Sequence, residues 1–318
     1  MEIAVIVQTI IVISLMVFIG AIISRTFAFN DDTQKMLISL IVNIGMPSII
    51  LANIFEVEFS DSIFHIILIV LISSIIINLT GIGLGWCFLC FFHRNSNKIP
   101  EVSLLSGIGN TGYIGIPLCA LLFGPEGALY AAVFDAGVDI TLWTVGVSIL
   151  QKRKTFFSWK YIKSIINVPI IAVVIGMTAL YFQLRPPKIF SDLITQLAGL
   201  ATPLAMIYIG ILVMTISRSN IKESTISWLP ITIKLIILPI LVAVVVSMYH
   251  EFNLIASQVI IIQSMMPTLT LASVLFAKYS RNQDFGAVTT VLSTLLSLLT
   301  IPLVLYILNV LLSLGWNN

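Results

Sequence analysis

The sequence predicts an all-α membrane protein of ten transmembrane helices in a five-plus-five inverted repeat, with two broken helices, spans four and nine, crossing near the midplane. Three observations carry this reading. Of the 318 residues, 58% are hydrophobic and 9% charged, and mean hydropathy is +1.09, whereas soluble domains carry about 25% charged residues. The basic residues alternate between successive loops. Two apolar stretches are interrupted by glycine and proline at matching places in the two halves of the chain.

Spans of about 20 to 25 residues suit a bilayer, and ten can be laid along the chain. They fall at 3–24, 33–55, 63–92, 102–123, 127–150, 162–182, 190–216, 226–249, 254–278 and 285–314. The third and tenth are long enough to tilt, kink or extend beyond the hydrocarbon. Thirteen basic residues follow odd-numbered spans: Arg25, Lys35, Arg94, Lys98, Lys152, Arg153, Lys154, Lys160, Lys163, Arg218, Lys222, Lys278 and Arg281. Only Arg185 and Lys188 follow even-numbered ones, and Lys234 lies within a span. The positive-inside rule then places the odd loops in the cytoplasm and both termini outside a plasma membrane. The first apolar segment has no basic stretch before it and no small-residue cleavage site, so it reads as a span rather than a signal peptide.

The same pattern bounds other functions. A net charge of +2 follows the loops and forms no groove for nucleic acid. Cys87, Cys90 and Cys119 cannot make a disulfide framework, and the Cys87–Cys90 spacing has no second ligand pair for a metal. They read as small core residues. His65, His93 and His250 are scattered near span ends, the pattern of interfacial residues rather than metal ligands.

The basic loop 151–161 divides the chain into residues 1–150 and 162–318, each with five spans. Five is odd, so the second half inserts upside down. Pro47 and Pro203 mark spans two and seven, and Pro117 and Pro267 mark spans four and nine. The pairs lie 70 and 64 residues apart, which puts the prolines in register.

Span four reads Gly107-Ile-Gly-Asn110-Thr111-Gly112-Tyr-Ile-Gly115-Ile-Pro117, and span nine reads Gln263-Ser-Met-Met-Pro267-Thr268-Leu-Thr270. Unwound backbone at membrane depth survives only where protein buries it or a cavity takes it up. A matched pair of such interruptions points to a transporter's binding site. Each break predicts a half-helix beginning at or just after its proline, with partial positive charge and open N–H groups at its start. Two such starts meeting suit an anion such as a carboxylate. Asn110 and Gln263 would orient it, Thr111, Thr268 and Thr270 would line the place, and Gly115, Pro117 and Pro267 would shape it. The competing reading is a pair of proline kinks whose glycines ease helix packing.

These two motifs, together with the continuation Met266-Pro-Thr-Leu-Thr-Leu-Ala-Ser-Val-Leu-Phe-Ala-Lys-Tyr279 and the run Leu292-Ser-Thr-Leu-Leu-Ser-Leu-Leu-Thr-Ile-Pro302, resemble the auxin efflux carrier family. That family holds plant PIN-type carriers and bacterial malate and malonate permeases. The similarity spans essentially the whole chain. It implies a scaffold of spans 1, 2, 6 and 7, a moving transport domain of spans 3–5 and 8–10, spans four and nine crossing at their prolines, and a homodimer. The long central loop of the plant carriers is absent, so a bacterial-type organic acid permease fits better than a hormone carrier.

Ionisable groups at membrane depth cost about 3 kcal/mol each on insertion scales. Asp135 and Asp139, four apart, share a helix face in span five. Two carboxylates this close resist ionising together, so they suit a proton or a coupling cation; alternatively they are satisfied structurally by neighbouring spans. Lys234 either snorkels to the cytoplasmic surface, pairs with Asp139, or attracts an anion. Asn78 and Asn43 serve equally as interhelical hydrogen bonds or as substrate contacts.

Other classes fit less well. The Asp135–Asp139 spacing resembles some metal-dependent prenyltransferase sites, but the pair is mid-span and lacks a second acidic cluster. Neither His-Glu-x-x-His nor Gly-x-Ser-x-Gly occurs. A channel would be expected to show a selectivity ring or carbonyl loop. The expected protein is a secondary transporter of small organic anions, with no cofactor or metal, coupled to protons or working as a uniporter. A sodium symporter of the bile-acid type is the nearest alternative.

Overall fold

Helices that share a bilayer are held together by shape, because lipid tails are as apolar as leucine. In the computed structural model, small residues accordingly mark the close contacts. It describes residues 3–27, 30–57, 61–92, 97–151, 168–214, 225–248, 253–280 and 282–313.

Helix α1 (Ile3–Ile23) lies along α9 (Lys188–Met214). A Cβ added at Gly20 would overlap the Ile207 carbonyl, and one at Gly210 the Val17 carbonyl. Between them come α2 (Asp31–Leu40), a π turn over Ile41–Gly45, α3 (Met46–Glu56) and α8 (Val168–Tyr181). Asn30 caps α2 by accepting the Thr33 N–H at 2.9 Å. Pro47 sits in the first turn of α3, where its missing N–H costs least. Gly45 rests on Ala201 of α9, and Gly176 of α8 faces Ile54 of α3.

Helix α4 (Asp61–Phe92) carries Ser74, Asn78, Gly81 and Gly85 at helical spacing on one face. Gly81 and Gly85 admit α5 (Ile99–Gly107): a Cβ at Gly81 would lie 2.6 Å from Gly107 Cα, and one at Gly85 2.5 Å from Ser106 Oγ. A π turn over Thr111–Gly115 leads into α6 (Ile116–Thr141), followed by a second π turn over Leu142–Gly146 and α7 (Val147–Leu150). The apolar stretch Thr111–Leu150 has 40 residues, yet it folds back on itself. Gly124 adopts φ 64°, ψ −148° just before Pro125. The Thr111 hydroxyl bonds to Asp135, 24 positions on, a separation of about 36 Å in a straight helix.

The remainder comprises a 3₁₀ turn over Thr225–Ser227, α10 (Trp228–Thr232), a π turn over Ile233–Ile237, α11 (Leu238–Met248), α12 (Leu254–Ser264), α13 (Ala272–Tyr279) and α14 (Gln283–Ser313). Among the described residues, six stretches are long and apolar enough to cross a membrane: Asp32–Glu56, Ile63–Phe91, Thr111–Leu150, Lys188–Leu212, Trp228–Met248 and Asp284–Val304. Ile11–Ile23, Val168–Tyr181 and Leu254–Ser264 are apolar but shorter. Among the described residues, β pairing outside helices is confined to one antiparallel bridge, Gly109 with Thr268.

Cys87 departs from the core placement that its apolar surroundings imply. It is exposed, Cys90 is half-buried and Cys119 is buried. The face of α4 that packs inward runs through Gly85, and two residues further on is about 200° round the helix. His65 is exposed on α4. His93, His250 and the basic loop residues Arg94, Lys152, Arg153, Lys154, Lys160, Lys163, Arg218, Lys222 and Arg281 lie outside the described residues.

Candidate functional site

Helix α5 stops because two glycines bring other chain segments against it. A Cβ at Gly107 would sit 2.5 Å from the Asn78 backbone oxygen and 2.6 Å from Ile82 of α4. A Cβ at Gly109 would lie 2.8 Å from Lys234 Cε. After Gly107 the chain is extended at Ile108 (φ −85°, ψ 122°), and Asn110 (φ −85°, ψ 60°) caps the next turn. The cap is an acceptance by Asn110 Oδ1 of the Tyr113 N–H at 3.3 Å. It occupies one of the N–H groups that a helix start leaves without an intrahelical acceptor.

The second opening runs over residues 265–271, between α12 and α13. It meets the first directly. Gly109 bridges Thr268, the Asn110 N–H donates to the Pro267 carbonyl at 2.7 Å, and the Asn110 amide donates to Thr270 Oγ1 at 2.5 Å. Asn110, Thr268 and Thr270 are all buried. Around them, the Thr111 hydroxyl donates to Asp135 Oδ1 at 2.5 Å. Gly112 leaves room for Met46 Cε and Asp135 Oδ2, which a Cβ there would approach to 2.7 and 2.9 Å. Asp139 lies one turn beyond Asp135 on the same helix, half-buried.

Gln263 is fully buried in the last turn of α12, two residues before the opening. Its amide donates to the Ala131 carbonyl at 3.3 Å, and a Cβ at Gly115 would overlap its carbonyl oxygen. That oxygen and Asn78 Oδ1 are both buried without a hydrogen-bond partner. Asn78 donates to the Ser74 carbonyl at 2.6 Å.

Three expectations change. The first helical turn begins at Thr111, six residues ahead of Pro117, so the two segments pair at Gly109 and Thr268 rather than at both prolines. Pro117 fits in the first turn of α6 because a wide π turn precedes it and no N–H is needed there. In the second segment the helix resumes at Ala272, five residues past Pro267. Lys234 does not snorkel: it is 1% exposed, and its ammonium donates to the Gly107 carbonyl at 3.0 Å. Asn43 is exposed and its amide donates to Ser39 Oγ one turn back at 3.0 Å.

The sequence reading passed over a row of hydroxyls on α14. Ser293 Oγ accepts the Thr268 N–H at 3.1 Å and shares a 2.8 Å bond with Thr268 Oγ1, while the Thr290 hydroxyl donates to the Leu269 carbonyl at 2.9 Å. With Thr294 and Ser297 they form one buried polar stripe. Its three-and-four spacing was the available signal. The arrangement therefore satisfies both unwound backbones with neutral donors and acceptors, adds one ammonium and one carboxylate pair nearby, and leaves two acceptor oxygens open.

Residues 5–160 and 155–305 match the model of the membrane transport protein family, Mem_trans. An "Uncharacterized transporter" of Methanothermobacter thermautotrophicus is 25% identical over 307 residues, covering 93% of this chain and 96% of its own. A second protein so named, from Methanocaldococcus jannaschii, is 21% identical over 300 residues, 93% of this chain and 96% of its own. A "Putative malonate transporter" of Rhizobium meliloti is 22% identical over 307 residues, 92% of each chain. With the apolar helices described above, these matches establish that the chain belongs to the membrane transport protein family, whose members resemble the auxin efflux carriers, and is an integral, multi-pass membrane protein.

Proposed function

We propose that this chain is a secondary transporter of small organic anions, held at the crossing and moved by alternating access. The observation that carries the reading is the direct pairing of two unwound segments, through Asn110 and Pro267, deep among apolar helices. Such backbone is rare at membrane depth without a cavity or ligand to serve. The malonate name of the Rhizobium meliloti relative makes a short dicarboxylate the first candidate.

In this reading the helices form ten crossings in two inverted halves. Those holding α1, α2–α3, α8 and α9 act as the scaffold and the dimer face, and the rest act as the moving unit. The plasma membrane location, with both termini outside, belongs to the same proposal. Every polar side chain at the pairing itself is buried, so a substrate enters only when the two units shift. A cavity of about 30 Å³ between them, lined by Val17 and Met206 on one side and Ile114 and Ser297 on the other, marks the seam that such a shift would widen. Asn110, Thr111, Gly115, Gln263, Thr268 and Thr270 contact the anion, and Asp135 with Asp139 set its protonation or coupling.

The open oxygens of Gln263 and Asn78 favour a second reading, a sodium-coupled symporter of the bile-acid type, since bare acceptors suit a cation. Uptake of radiolabelled malonate and malate into proteoliposomes separates the two. The expected result is saturable uptake, driven by a pH gradient or none, and abolished in Asn110→Ala. Uptake driven by sodium alone selects the second reading. Absence of carboxylate uptake under every gradient overturns both.

A further inference from the structure

The ammonium of Lys234 is the most unusual group in the molecule. It is among the largest fully buried side chains, in the π turn, within the first third of the stretch Trp228–Met248. Its hydrogen bond goes to Gly107 O, the last carbonyl of α5. That carbonyl is one of the orphan acceptors at a helix C-terminus, where the dipole is negative. Gly109, two residues on, is the residue that bridges Thr268, and a Cβ there would come within 3.1 Å of Lys234 Nζ. The charge therefore stands on the crossing itself, and glycine at 109 is what makes room for it.

An ammonium in this place would also be uncompensated. Among the described residues no carboxylate forms an ion pair with Lys234. An ammonium has three donors, and one of them is engaged. Burying a cation with two donors unused costs several kcal/mol, and a purely structural cap on the Gly107 carbonyl would be served as well by a neutral hydroxyl, as Thr290 serves the Leu269 carbonyl. An anion arriving beside Gly109 would complete the ion pair and use the remaining donors.

We propose that Lys234 is the resident cation of the crossing: its ammonium binds the carboxylate of the transported anion directly, in place of a co-bound sodium ion. This rests on the anion-transport reading above and adds to it the residue that recognises the charge. A protonated Lys234 would let a site built from neutral amides and hydroxyls favour anions over neutral solutes.

The test uses the full-length protein, purified in detergent, with malonate binding followed by isothermal titration and by thermal stabilisation. Wild type, Lys234→Met and Lys234→Arg are compared in sodium chloride and in choline chloride at equal ionic strength. The expected outcome is equal affinity in the two salts for wild type, a loss of about thirtyfold or more in Lys234→Met, and partial retention in Lys234→Arg. Size-exclusion profiles and unfolding temperatures confirm that the variants are folded; if Lys234→Met does not fold, Lys234→Gln takes its place. A folded variant lacking the ammonium that binds malonate within about threefold of wild type overturns the proposal, as does wild-type binding that requires sodium or no malonate binding at all. Failure of the transport reading is distinguishable: lysine-dependent binding without flux into proteoliposomes removes the carrier function and leaves the anion site, whereas flux that survives Lys234→Met removes the site residue and leaves the carrier.

Discussion

The two unwound segments solve the same backbone problem by opposite means. The first, Ile108–Asn110, is three residues long and lives by absence. Gly107 and Gly109 lack side chains so that α4 and Lys234 can approach, and a helix carbonyl takes an ammonium. The second, 265–271, is more than twice as long and lives by presence. Met265 and Met266 are fully buried, and the hydroxyls of Ser293 and Thr290 take up an N–H and a carbonyl. A short opening can be covered by neighbours pressed against it; a longer one needs polar side chains sent in from the last helix.

Substitutions should therefore hurt the two segments in different ways. The largest effect is expected for Gly107→Ala. Its Cβ meets backbone of α4 at 2.5 Å, atoms that cannot swing aside, and about 3 kcal/mol of stability should be lost through overpacking. The unfolding temperature of the purified variant reads this directly; a wild-type value would mean that α4 and α5 separate easily enough to admit a methyl group.

Ser293→Ala tests the other segment. It strands the Thr268 N–H and hydroxyl in a buried place, at a cost of about 2 kcal/mol. Hydrogen–deuterium exchange should rise over residues 265–271 while the Ile108–Asn110 segment stays protected. Equal deprotection of both would show that the two segments share one support.

Pro267→Ala is expected to be the mildest, under about 1 kcal/mol. The bonds that hold the second segment use the Pro267 carbonyl and the Thr268 side chain and N–H, all of which survive the change. A large loss of stability here would restore proline as the cause of the opening and erase the contrast between the segments.

How much of this is legible in the sequence follows from the same physics. The density of glycine, asparagine and proline located both openings, because those residues are what an interrupted helix demands. It misplaced the first by several residues. Pro117 looks like a helix breaker in one dimension, but a proline in the first turn of a helix breaks nothing, and the work falls to Gly107 and Gly109. The membrane class was plain from composition, and the family match agrees with the motif resemblance. The direction of Lys234 was not readable, since a lysine eight residues from a span end reaches the surface or the interior with equal ease. Ser293 and Thr290 hid for a different reason: a hydroxyl in a transmembrane helix is as often bonded to its own preceding turn, as Thr144 and Thr178 are.

One contact has a bearing on how the protein is made. Asn110 and Thr270 are 160 residues apart, and the ammonium that caps Gly107 comes 127 residues after it. At ribosomal speeds of roughly 5 to 20 residues per second, the first unwound segment is synthesised some ten to thirty seconds before its partner exists. For that interval its open amides have neither Pro267 nor Thr270 to meet. The Thr111–Asp135 bond closes early, since its partners are 24 residues apart, and gives the nascent hairpin an anchor of its own. The pairing of the two segments is completed late, and its support from Ser293 and Thr290 later still, so a chain arrested before residue 270 should be the form that the cell's quality control finds most readily.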